Sequence, residues 1–101
     1  MIYQLTIPAV AEDVEEFRVL EWHGAAGHAF ATGDLVVELE THKAIVEVRA
    51  GQDAILRKSF IAGGEWCRIG VPLAYFTETA DEALPEGDQP AGELVVEFEI
   101  I

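Results

Sequence analysis

The chain lacks almost everything that would let it hold nucleic acid. Of its 101 residues, 6 are Lys or Arg and 19 are Asp or Glu, for a formal net charge of −13. Phosphate backbones are gripped by clustered cations, so nucleic acid is excluded as a partner. Lysine is scarcer still, because Lys43 and Lys58 are the only two. One cysteine, Cys67, leaves no intramolecular disulfide and fits a reducing, cytoplasmic setting. Next to Trp66 it reads as a buried structural thiol. No apolar run approaches the ~18 residues of a membrane span. The start Met1-Ile2-Tyr3-Gln4 lacks the basic opening of a signal peptide. Helical periodicity is nearly absent too.

What the chain does have is alternation. Leu35, Val37 and Leu39 interleave with Val36, Glu38 and Glu40, and Val46 and Val48 interleave with Glu47 and Arg49. Period-two patterns of this kind are half-buried strands. The reading gives strands at 2–7, 17–23, 34–41, 44–50, 54–60 and 72–77, with short pieces near 28–30 and 65–68. Between them fall turns at Gly24-Ala25-Ala26-Gly27, Thr32-Gly33-Asp34, Gly51-Gln52-Asp53, Gly63-Gly64 and Gly70-Val71-Pro72. Short strands with regular Gly-containing turns predict an antiparallel barrel or sandwich. Gly27 and Gly33 recur at the same spacing as Gly64 and Gly70, each pair followed by an apolar strand, so the chain has two similar halves.

One hairpin stands out. Pairing 34–41 with 44–50 across His42-Lys43 sets Leu39 against Val46 and Val37 against Val48, with all four on one face. The same register sets Glu38 against Glu47, a mildly unfavourable pair. Lys43 then projects from the tip of the turn, away from its own core. It is poorly placed to be a buried base and well placed to be grasped by another enzyme. Lys58 lies mid-strand in Arg57-Lys58-Ser59 and is a poor rival.

The segment Glu40-Thr41-His42-Lys43-Ala44 resembles the attachment site of lipoyl domains, whose usual signature is Glu-Thr-Asp-Lys-Ala. The resemblance extends to Ile2, Pro8, Glu12, Glu21-Trp22, Gly27, Gly33-Asp34, Gly64, Gly70 and Pro72-Leu73, and covers roughly residues 1 to 76. It implies an all-β fold, a flattened antiparallel barrel or sandwich of two four-stranded sheets with quasi-twofold symmetry. It implies lipoic acid attached covalently to Lys43, with Glu40, Thr41, His42 and Ala44 as the context the attaching enzyme recognises. It further implies a swinging arm that serves the thiamine-dependent decarboxylase, acyltransferase and dihydrolipoyl dehydrogenase of a 2-oxo acid dehydrogenase complex. Such a domain has no active site of its own, whether free-standing or part of an acyltransferase.

The chain departs from that pattern in places. His42 stands where the family usually has aspartate. Ala11, Phe17 and Ala54 replace common glycines, and Gly51 stands where proline is frequent. Biotin carriers share the fold, but their lysine usually sits between two methionines, and the only methionine here is Met1. Glycine-cleavage H-protein is longer, with helices for which no periodicity exists here. An unmodified barrel serving as an interaction module is the remaining alternative.

Residues 1–77 therefore form the expected carrier domain. Residues 78–92 mix acids with Ala, Pro and Gly and read as an acidic linker. Residues 93–101 alternate again and form an additional strand, which is expected to pair with a sheet edge because an open strand invites aggregation. His23, His28 and Cys67 lack a zinc-ribbon spacing, so no metal site is expected. Trp22 and Trp66 read as core aromatics.

Overall fold

A computed structural model describes residues 1–8, 14–61, 63–83 and 92–101. It contains ten strands: β1 (Ile2–Thr6), β2 (Glu16–Trp22), β3 (Ala29–Phe30), β4 (Leu35–Glu40), β5 (Ile45–Ala50), β6 (Ala54–Ser59), β7 (Trp66–Arg68), β8 (Pro72–Thr77), β9 (Gly92–Glu93) and β10 (Val96–Ile100). No helix occurs among the described residues. The strands form two five-stranded sheets, in the orders β3-β6-β8-β1-β9 and β10-β5-β4-β2-β7. All pairings are antiparallel except β1 with β9, which is parallel.

The inward half of the alternation supplies the core between the sheets. Leu5, Phe17, Val19, Val37, Leu39, Val46, Val48, Leu56 and Phe76 are all buried there. Burying such side chains contributes about 1.5–3 kcal/mol each and sets the register of every strand that carries one. Phe17, at a position where the family often has glycine, is only 1% exposed and fills core volume. Ala54 opens β6 opposite Phe30, while Ala11 lies outside the described residues.

The expected twofold relation is visible in the topology. Exchanging β1–β4 with β5–β8 converts the order β3-β6-β8-β1 into β7-β2-β4-β5, which is the other sheet. The repeated glycines carry the relation into the turns. Gly27, Gly33, Gly64 and Gly70 have φ of 96, 95, 81 and 86°. A Cβ at any of them would meet nothing within 4 Å, so backbone conformation, and not space, calls for glycine.

The C-terminal segment corrects the sequence reading. A single strand over 93–101 was expected, but the structure splits it. β9 pairs with β1, and β10 pairs with β5 from Val96–Ala50 to Ile100–Val46. Each four-stranded sheet thereby gains a fifth strand, and the two additions fall on twofold-related edges. The reason is Leu94, which is 4% exposed and joins the core cluster. To bury it, the chain must leave one sheet and enter the other. The crossing is fixed by hydrogen bonds: Leu94 N–H to the Gln4 carbonyl at 2.9 Å, Gly51 N–H to the Val95 carbonyl at 2.8 Å, and Val95 N–H to Gln52 Oε1 at 2.9 Å. The expected linker falls mostly on 84–91, outside the described residues.

Asp53 ties two of the loops together. Its carboxylate accepts from the Thr32 N–H at 2.8 Å and from the Thr32 hydroxyl at 2.9 Å. These bonds, the backbone one first, lower its pKa below the ordinary 3.8. A lowered acid favours the folded state above its unfolded pKa, and that contribution fades as pH falls through the lowered value. In an NMR titration Asp53 is expected to show a midpoint below 3.8, which Thr32→Val should move upward. A wild-type midpoint at or above 3.8 would disprove the coupling.

Candidate functional site

The β4–β5 hairpin forms in the register read from the sequence, with Val37 opposite Val48, Glu38 opposite Glu47 and Leu39 opposite Val46. Its turn spans Thr41 to Ala44, and both His42 and Lys43 are exposed at the tip. Thr41 locks that tip. Its side chain is 6% exposed, and its hydroxyl accepts from the Lys43 N–H at 3.1 Å and the Ala44 N–H at 3.0 Å. The hydroxyl also lies 3.1 Å from the Ala44 carbonyl, to which the Thr41 N–H donates at 2.8 Å. A side-chain hydroxyl thus does what glycine-rich hairpin turns do with backbone geometry.

Glu40 has a fixed position. It pairs across the sheet with Arg18, and their side chains form an ion pair. The Arg18 guanidinium also lies 5.3 Å from the centre of the Trp66 ring. Among the described residues Arg18 Nε is a buried polar atom without a hydrogen-bond partner. Reading along the pairings, Trp66, Arg18, Glu40 and Ile45 occupy one row across β7, β2, β4 and β5, next to the turn.

Trp66 is the residue that sequence reasoning misplaced. It was expected in the core and is instead 47% exposed on edge strand β7. β7 has three residues, exposed at Trp66 and Arg68 and half-buried at Cys67. Cys67 takes the inward position of that short alternation, and Trp66 is left facing out. Trp22 meets the expectation better, for it packs against the core and donates its indole N–H to the Ile61 carbonyl at 2.8 Å. Cys67 packs partly against the core, and burial followed by the nearby Glu65 carboxylate raises its pKa, keeping the thiol protonated at neutral pH. Beside the turn, Trp66, His42 and Glu16 line a surface depression of about 380 Å³.

The remaining candidates separate in space. His28 packs its ring 4.4 Å from that of Phe30. His23 Nε2 lies 2.6 Å from Glu38 and 3.3 Å from Glu21, so three donor atoms sit within 4.8 Å of one another on the outer face of the sheet. Glu21 is exposed, His23 and Glu38 are half-buried, and each carboxylate already contacts the His23 ring. Lys58 is exposed within β6, not at a turn, with its ammonium 5.4 Å from the Phe60 ring.

The family model described as biotin-requiring enzyme, Biotin_lipoyl, matches residues 3–76. The chain belongs to the biotin/lipoyl domain family. Relatives of this biotin/lipoyl domain include the mitochondrial pyruvate dehydrogenase complex protein X component of Chaetomium thermophilum, 31% identical over 75% of this chain and 17% of that protein. The pyruvate dehydrogenase E1 component subunit beta of Rhizobium meliloti is 30% identical over 82% of this chain and 18% of its own length. The dihydrolipoyllysine-residue succinyltransferase component of the 2-oxoglutarate dehydrogenase complex of Rickettsia typhi is 30% identical over 80% and 20% respectively. The biotin/lipoyl domain spans a fifth or less of each of these relatives.

Proposed function

We propose that this domain is a lipoyl carrier, with lipoic acid joined to Lys43 by an amide, serving a 2-oxo acid dehydrogenase complex. The observation that carries the proposal is Lys43 exposed at the tip of a turn held by Thr41. Amide formation needs a reachable primary amine, and Lys43 fits that need. The relatives named above support the choice of complex, since two are pyruvate dehydrogenase components and one is a succinyltransferase component.

When attached, lipoic acid supplies a disulfide that accepts an acyl group and two electrons. The chain contributes position. β4 and β5 hold the turn out from the barrel, Thr41 fixes its backbone, and the Glu40–Arg18 pair braces the strand that leads into it. Tethering raises the effective concentration of the arm at successive active sites. The partners in this reading are the lipoate-attaching enzyme and the decarboxylase, acyltransferase and dihydrolipoyl dehydrogenase components. His42 and Ala44 flank the lysine where biotin carriers have methionine, which weighs against biotin.

Intact mass tests the proposal. Incubated with a lipoate–protein ligase, ATP and lipoate, the chain should gain one lipoyl adduct. Lys43→Arg should gain none, and Lys58→Arg should behave as the wild type. With a biotin–protein ligase no adduct is expected. An adduct retained on Lys43→Arg, or a wild type modified only by the biotin ligase, would overturn it.

A further inference from the structure

We propose that the depression walled by Trp66, His42 and Glu16 is a resting site for the lipoyl group carried on Lys43. This rests on the lipoyl-carrier reading and adds a place on the domain where the arm waits between partners.

Three observations point there. The first is Trp66 itself, a large aromatic left 47% exposed on an edge strand. Its ring is held by the Arg18 guanidinium at 5.3 Å, and Arg18 is in turn held by Glu40. A surface whose side chains are already ordered loses little freedom when something settles on it. The second is position. His42, the residue beside Lys43, lines the depression, so the site begins one residue from the point of attachment. The tether therefore raises the local concentration of the arm over the indole. The third is chemistry. A dithiolane on an alkyl chain offers apolar surface and sulfur, and sulfur makes favourable contacts with aromatic rings. Glu16, in a chain of net charge −13, disfavours a carboxylate, so the site suits the neutral amide-linked group and not free lipoate.

The contact should be weak. A tethered group occupies a site that its free counterpart would fill only at high concentration, and it leaves readily when a partner arrives.

The two tryptophans provide the test. In a ¹⁵N-labelled chain, Trp22 is an internal reference because its indole N–H is committed to the Ile61 carbonyl. In fully lipoylated protein, confirmed by intact mass, the Trp66 indole signal should shift and the Trp22 signal should stay. Millimolar lipoamide added to the unmodified chain should move the Trp66 signal in the same direction, and lipoate should move it less. In lipoylated Trp66→Leu the arm should react with a water-soluble phosphine about two- to tenfold faster than in the wild type, the ratio that sulfur–aromatic contacts support. A fully modified chain with an unmoved Trp66 signal, or equal phosphine rates, overturns the proposal. So does a Trp66 shift in the unmodified chain that grows with protein concentration, which would assign the depression to a second copy. Failure to gain an adduct counts against the carrier reading, and the lipoamide titration then decides the depression by itself.

Discussion

Leu94→Ala is expected to lower folding stability by about 2–5 kcal/mol and to release residues 92–101 from both sheets. Leu94 is the buried anchor of that segment, 4% exposed between β9 and β10. Truncating it removes buried methyl groups and leaves a cavity where the strand crosses from one sheet to the other. Gly51→Pro should loosen the same segment by a separate route. The Gly51 N–H donates to the Val95 carbonyl, and a Cβ at Gly51 would lie 2.8 Å from Val95 Cγ1 and 3.0 Å from the Val95 oxygen. Proline lacks the donor and adds the carbons, so a loss of about 1–3 kcal/mol is expected. Glycine at a position where the family often has proline is thereby explained: it admits β10. Urea unfolding and amide exchange at 96–100 check both variants. Released strands would also expose the edges of β1 and β5, so association should rise with protein concentration. Wild-type stability and protection at 96–100 in Leu94→Ala would show that the segment is not anchored there.

The second large effect is expected at the turn. Thr41→Val keeps the volume and branching of a side chain that is 6% exposed, and removes only the hydroxyl. The Lys43 and Ala44 N–H groups then lose the acceptor that orders them. The expected loss is about 1–2 kcal/mol, held down because the tip is exposed and water can take over part of the bonding. Modification should suffer more than stability, since an attaching enzyme must meet the lysine in one geometry. With limiting ligase, the Thr41→Val adduct should form several-fold more slowly, in line with the ~1.4 kcal/mol that corresponds to each factor of ten. Thr41→Ser, which keeps the hydroxyl, should stay close to wild type in both measurements. A Val variant with wild-type melting and wild-type modification would mean that the strands alone define the turn.

Much of this domain was written in its local pattern. Alternation located eight strands to within a residue or two, because the two faces of each strand meet different solvents and a slip by one residue would exchange them. The register around Lys43 followed from the same rule, as Val37, Leu39, Val46 and Val48 can share a buried face in only one pairing across a two-residue turn. The repeated glycines marked backbone conformations that other residues rarely adopt, and all four have positive φ.

What only the tertiary structure decided depends on contacts between residues far apart in the chain. The alternation at 93–101 could show a strand but not its partner, and burial of Leu94 divided that strand between two sheets. Gly51 looked like a departure without a reason until Val95 came to rest on it. Trp66 carries the composition of a core residue, but a three-residue edge strand has one inward place, and Cys67 fills it. Thr41 reads as a polar turn residue, and only the closed hairpin shows its hydroxyl ordering the backbone of the lysine it precedes. Sequence pattern fixes which face of each element is apolar. The choice of neighbour belongs to the packed whole, where volume, edge pairing and hydrogen-bond satisfaction are settled together.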